Sequence, residues 1–163
     1  VTLRSAFVST VSRLMDEDES IVLLLGDISV YAFREAFAKH PKRCYNIGIC
    51  EQASVSVAAG LAMSGLYPIF HTIDSFMVRR AYEQIYLDFG VQKLAGMFIS
   101  VGGSREYWKL GPTHMCPESP ILMDCIPNMS WYIPQSPIAV ENRINDYARA
   151  RVLSYVRLEE IQT

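Results

Sequence analysis

The sequence predicts an open, doubly wound α/β fold, a mainly parallel sheet with helices on both faces, and three observations carry that expectation. Residues 21–25, 67–73, 94–101 and 152–158 form nearly continuous apolar runs instead of alternating ones. Strands buried on both faces read that way, and parallel sheets covered by helices have such strands. Segments with helical spacing separate the runs, and Gly26-Asp27, Gly65 and Gly102-Gly103 punctuate their ends, as turn residues do. Alternation of this kind favours one sheet covered on both sides.

Taken in order, Leu3, Phe7, Val11 and Leu14 recur at helical spacing and give an amphipathic helix. It ends in Asp16-Glu17-Asp18-Glu19, a solvated helix terminus. Ile21 to Leu25 reads as a buried strand stopped by Gly26-Asp27, and Tyr45 to Ile49 as a second, shorter strand. A long helix is predicted from about Glu51 to Ser64, with Gly65 suited to its C-terminal cap. Tyr67 to Ile73 is a third strand, Phe76 to Phe89 a helix, and Leu94 to Val101 a fourth strand. After a loop rich in Gly and Pro come a strand at Met129–Ile133, a helix at Ile138–Arg149 and a last strand at Val152–Leu158.

With 163 residues the chain fits one domain, 1–163, with enough length to bury a core. Half of its residues are hydrophobic and 20% charged, more apolar material than one small core needs, so part of it is expected at an interface. Fifteen basic and 17 acidic residues leave a net charge of −2 with no basic cluster, which argues against nucleic acid or a membrane as partner. Cys44, Cys50, Cys116 and Cys125 form no C-x-x-C pair and no zinc-like spacing with the three histidines. Neither a metal site nor a disulfide framework is read from them; they fit the reduced thiols of a cytoplasmic protein.

Open α/β sheets bind ligands beyond the carboxyl ends of their strands. That rule selects Asp27 and Ser29, Glu51, Asp74 to Phe76, and the loop over residues 102–114. Glu51 stands in the first turn of its helix, where the macrodipole stabilises a negative charge by about 0.3–1 kcal/mol. The helix that follows carries Val55, Val57, Ala58, Ala59, Leu61 and Ala62 and is expected to be covered nearly all round. Its acid then lies at the edge of a dry region, an environment suited to sharing a proton with a ligand nitrogen.

Gly48-Ile49-Cys50-Glu51-Gln52, Ala59-Gly60-Leu61-Ala62 and Gly65-Leu66-Tyr67-Pro68 resemble the pyrimidine-binding domain of transketolases and deoxyxylulose phosphate synthases, thiamine-diphosphate enzymes. Ser75-Phe76 with Arg80-Ala81-Tyr82-Glu83-Gln84, Gly111-Pro112-Thr113-His114 and Ile126-Pro127-Asn128-Met129 follow in the family's order, and Tyr155-Val156-Arg157-Leu158 resembles its last strand. The spacing after Phe76 is closest to that of transketolases split over two chains. The resemblance implies that Glu51 hydrogen-bonds the aminopyrimidine ring and favours the imino tautomer that deprotonates the thiazolium carbon. It also implies that Phe76 stacks on that ring, that Ile49 supports the bend between the coenzyme's two rings, and that Arg80 lines the same pocket. His114 would stand beside the reacting carbon and handle substrate hydroxyls or an oxyanion. The implied function is transfer of a ketol or acyl unit from a 2-oxo or ketose donor, the work of a transferase.

The family's magnesium, which holds the diphosphate, sits in a separate domain with a Gly-Asp-Gly motif; here Gly26-Asp27 continues with Ile28. The diphosphate-binding and C-terminal domains are therefore expected outside this chain. A partner subunit or domain in a hetero- or homo-oligomer would complete the active site. Three positions depart from the family pattern. Leu110 replaces the usual aspartate before Gly-Pro-Thr-His, Met115 a polar residue after it, and Asp124 stands where an arginine for sugar phosphate is usual. An acid repels phosphate, so a non-phosphorylated donor is in view. Acyl transfer of the deoxyxylulose phosphate synthase or 2-oxo-acid dehydrogenase beta type, and a non-catalytic structural subunit, remain as alternatives.

Overall fold

The computed structural model describes residues 1–159. Its six-stranded sheet runs β2-β1-β3-β4-β6-β5, with every neighbouring pair parallel. The strands are β1 (Ile21–Leu25), β2 (Cys44–Asn46), β3 (Tyr67–Ile73), β4 (Gly96–Val101), β5 (Ser130–Tyr132) and β6 (Leu153–Leu158). The principal helices are α1 (Leu3–Glu17), α2 (Arg34–Lys39), α3 (Glu51–Met63), α4 (Tyr82–Gln84), α5 (Ser119–Asp124) and α6 (Pro137–Ala150).

Side-chain alternation along each strand divides the apolar residues between two cores. Ile21, Leu23 and Leu25 of β1, Ile69 of β3, Ile99 of β4 and Val156 of β6 pack with Phe7 and Val11 of α1 and Val140 and Ile144 of α6. Val22, Leu24, Phe70, Phe98 and Tyr155 face the other way, against Val55 and Ala58 of α3 and Met77, Ile85 and Phe89. The expectation of a doubly wound sheet rests on just this split. Residues 52–73, uncharged throughout, are shared between α3, a turn and β3. No helix among the described residues is long and apolar enough to cross a membrane.

Local chemistry fixes the element ends. Thr2 caps α1 by accepting from the Ser5 amide, and the Ser5 hydroxyl receives the Thr2 amide in return, which satisfies two first-turn donors. Gly65, at φ +86°, closes α3: its N–H bonds Ala62 O and that of Leu66 bonds Leu61 O, the paired bonds of a Schellman cap.

Several boundaries differ from expectation. The second strand ends at Asn46, three residues before Ile49, because β2 is a short edge strand with Tyr45 and Asn46 exposed. The expected helix over 76–89 is wound wider than an α-helix at Phe76–Arg80 and Ile85–Val91, with a break at Ala81 (φ −115°, ψ 17°) between them. Helices α2 and α5 are additional to those expected, and each has only six residues. Within this chain α3 is covered on one side only, since Val57 and Met63 are 48% and 68% exposed.

Candidate functional site

The loops after β2 and β3, the strands on either side of β1, bring the candidate residues together at the carboxyl edge of the sheet. Asn46 anchors the first of these loops. Its side-chain carbonyl accepts from the Asp27 and Gly48 amides at 3.0 and 3.3 Å, and its amide donates to Asp27 Oδ1 at 2.9 Å. Asp27 is thereby used to tie the ends of β1 and β2. Gly48 at φ +83° turns the chain into α3, whose first residue is Glu51; a side chain is disfavoured in that left-handed region.

The Glu51 side chain is completely buried, and Arg80 Nη1 donates to its Oε2 at 2.7 Å. Its other oxygen, Oε1, is buried with no hydrogen-bond partner. An unsatisfied buried acceptor costs about 1–3 kcal/mol, so this oxygen is ready for an incoming donor. The Arg80 guanidinium lies 4.2 Å above the Phe76 ring, and the Phe76 and His114 rings meet at 5.0 Å and 66°. Glu51, Arg80, Phe76 and His114 thus form one continuous chain of contacts. Ile49 stands apart, 65% exposed, two residues before Glu51.

His114 ends the short helical turn Pro112–His114, and Thr113 Oγ1 lies 2.9 Å from its Nδ1. Nε2 is left without a protein partner among the described residues. The turn is tied to the Phe76 segment twice: Ser75 Oγ donates to Thr113 O at 2.8 Å, and Arg79 Nη1 to Pro112 O at 3.1 Å. Arg79 also pairs with Glu118 through Nε and Nη2, so all three of its nitrogens are engaged. Beside the turn lies a cleft of about 500 Å³ lined by Arg79, Trp108, Pro112, Met115, Pro117 and Glu118. Leu110 is 58% exposed, and Asp124 accepts a hydrogen bond from Trp131 Nε1 at 2.9 Å.

Behind this row lies a polar cluster of which sequence reading singled out Asp74 but not its partners. Asp74 directly follows β3 and is fully buried; its Oδ1 accepts from Ser100 Oγ at 2.7 Å and from the Tyr155 hydroxyl. The hydroxyl also lies 3.0 Å from Ser119 Oγ, which accepts from Arg157 Nη1 at 3.1 Å. Burial pushes the Asp74 carboxyl above its ordinary range, although the bonds from Ser100 and Tyr155 act against that. Burial, reinforced by the neighbouring Asp74, drives the Tyr155 phenol well above its usual value. The signal was present as Ser100, Tyr155 and Arg157 at the carboxyl ends of otherwise apolar strands.

Ser29 has a structural partner. Its Oγ lies 2.9 Å from His71 Nε2, and His71 Nδ1 lies 2.8 Å from Ile99 O. A carbonyl only accepts, so Nδ1–H donates to Ile99 and Nε2 accepts from Ser29. Complete burial pulls His71 down to about 4.

The profile of the transketolase pyrimidine-binding domain matches residues 1–162. The chain is 35% identical over 133 residues to the "Uncharacterized 33.6 kDa protein in fasciation locus" of Rhodococcoides fascians, covering 82% of this chain and 43% of that one. It is 36% identical over 135 residues to 1-deoxy-D-xylulose-5-phosphate synthase of Brevibacillus brevis, covering 82% and 21%. Among solved structures, a split-gene transketolase described as an inactive beta4 tetramer superposes at a TM-score of 0.86 with 28% identity, covering all of this chain and 54% of that one. The transketolase of Campylobacter jejuni shares the fold at 0.86 with 18% identity, covering 98% and 26%. The chain therefore spans between about a fifth and about half of the length of these relatives. With the profile running from end to end of the α/β sheet, the chain belongs to the transketolase pyrimidine-binding-domain family.

Proposed function

We propose that the chain supplies the pyrimidine half of a thiamine-diphosphate site in a transketolase-like transferase, and that it moves a ketol or acyl unit from a 2-oxo or ketose donor. The observation that carries this reading is the unpartnered Glu51 Oε1, buried at the head of α3 while Oε2 is held by Arg80. The residues fit the coenzyme's ring: a buried carboxyl oxygen without a protein partner that could share a proton with a ring nitrogen, and the aromatic ring of Phe76 in the same contact chain. When bound, thiamine diphosphate supplies the nucleophilic carbon that protein side chains lack. Glu51 would hold the proton of the aminopyrimidine ring at Oε1, Arg80 would fix the carboxylate's orientation, and Phe76 would stack on the ring. His114, with Nδ1 near Thr113, would present Nε2 to a substrate oxygen.

Magnesium and the diphosphate belong, in this reading, to a partner subunit or domain. The split-gene relative's beta-only tetramer is described as inactive, which supports the same requirement here, in a hetero- or homo-oligomer. A cytoplasmic location suits the free thiols, Cys44 and Cys116 buried and Cys50 and Cys125 exposed. The donor is proposed to lack a phosphate. Arg79 is fully engaged, Asp124 holds the sequence position at which the resemblance would have an arginine and is bonded to Trp131, and Met115 and Trp108 line the adjoining cleft.

The test is donor profiling of the complete assembly with hydroxypyruvate, pyruvate and ketose phosphates, beside a Glu51→Gln variant. Turnover of non-phosphorylated donors is expected, with a loss of about 10²–10⁴-fold in the variant and no loss of assembly. Unchanged turnover in Glu51→Gln would remove the carboxylate from the mechanism. Failure of thiamine diphosphate and magnesium to bind the complete assembly would make the chain a structural subunit.

A further inference from the structure

The loop before His114 carries an aromatic residue to which neither the sequence reading nor the family match assigns a role. Tyr107 lies edge-to-face with His114, ring centroids 6.5 Å apart at 84°. Its hydroxyl accepts a hydrogen bond from Arg4 Nη2 at 2.9 Å, and the same nitrogen is paired with Glu106 at 3.0 Å. Arg4 sits in the first turn of α1, so the tyrosine is fixed from an element outside the site. The backbone is shaped for it as well. A Cβ at Gly102 would come 2.2 Å from the Tyr107 ring, and Gly102 has φ +78°. Only glycine leaves that ring its place at the end of β4.

From these contacts we infer that Tyr107 is a positioning residue for His114, braced by Arg4 and Gly102, and that it sets the direction of the imidazole together with Phe76. The inference rests on the proposed role of His114 at the substrate. With Thr113 at Nδ1, the ring's remaining freedom is rotation that swings Nε2, and the two aromatic contacts restrict it. Losing one lets the nitrogen wander, which impairs the reacting geometry more than substrate binding. Tyr107 makes no contact with the reacting atoms in this scheme and transfers no proton.

The test uses the complete assembly with Tyr107→Leu, Tyr107→Phe, Arg4→Met and His114→Ala, read by steady-state kinetics against pH and by NMR of histidine-labelled chain. Tyr107→Leu is expected to lower kcat about 10- to 100-fold with KM nearly unchanged, and to move the pH dependence of kcat. Tyr107→Phe is expected to retain most of the rate, because it keeps the ring. In the spectra, Tyr107→Leu should displace the His114 signal while His40 and His71 stay in place, and Arg4→Met should displace it in the same direction by less. Should Tyr107→Leu fail to fold, the Arg4→Met spectrum decides alone. An unmoved His114 signal, or a Tyr107→Leu variant that is less stable yet keeps kcat and its pH profile, would overturn the inference. A His114→Ala variant with full turnover would instead defeat the functional reading, since the tyrosine would then position a residue with no task.

Discussion

Glu51 carries two demands on one carboxylate. Arg80 satisfies Oε2, and Oε1 has no protein donor. Arg80→Met would leave both oxygens unpaired in a buried position. We expect a loss of stability at the lower end of about 1–3 kcal/mol, because Arg80 is itself 41% exposed and water screens the pair. Urea unfolding of the chain measures it. The Arg80→Met/Glu51→Gln double variant should be more stable than the sum of the two single effects, since an uncharged amide no longer needs the guanidinium. Simple additivity would mean that the two side chains do not depend on each other. The burial of Glu51 was legible because a carboxylate heads an apolar helix; its pairing with Arg80 was not, because 29 residues separate them. Ile49 also drew attention through its neighbours in sequence, and it is 65% exposed, outside the contact chain that joins Glu51, Arg80, Phe76 and His114.

At the level of elements, strands β1, β3, β4 and β6 were readable because each is buried on both faces. Helices α2 and α5 were not, because six residues hold too few apolar positions to set a period. The π-type winding at Phe76–Arg80 leaves no mark on the apolar pattern, yet it belongs to the very turn that carries Phe76 and Arg80. Capping chemistry was readable: Gly65 ends α3 as expected. A Cβ at Gly65 would meet nothing within 4 Å, while its φ is +86°. Gly65→Ala therefore isolates the conformational cost, and thermal or urea unfolding should find a loss of about 1–2 kcal/mol. An unchanged midpoint would show that the turn reaches another conformation without penalty.

For the molecule as a whole, two predictions follow from burial. His71 is pulled from 6.5 down to about 4 by complete burial. The unfolded chain thus binds a proton between those values that the folded chain refuses. Stability is fully present above about 6.5 and is lost as pH falls toward 4, by about 3 kcal/mol in all. Asp74, shifted upward by burial, acts in the opposite sense. The contribution of His71 is therefore read as the difference between the native chain and His71→Gln, which should narrow as pH falls through this window. The second prediction concerns the outer surface. Val57 and Met63 of α3, together with Leu87 and Val91, are 47–68% exposed, and a Ser56–Asp88 hydrogen bond of 3.0 Å joins the two segments. Other large apolar side chains, Tyr31, Ile121 and Ile138 among them, are exposed elsewhere, so this patch is one candidate for the expected interface. Val57→Glu should leave the chain folded and abolish its assembly, as measured by light scattering with the proposed diphosphate-binding partner present. Normal assembly would place the interface elsewhere.

The central claim is that Glu51 Oε1 awaits the coenzyme's ring nitrogen, and a crystal structure of the complete assembly with thiamine diphosphate and magnesium tests it most directly. The account predicts that Oε1 lies within hydrogen-bonding distance of the aminopyrimidine ring while Arg80 keeps Oε2. A ring bound out of reach of Glu51, with the carboxylate turned to solvent or closed over by protein donors, would contradict it.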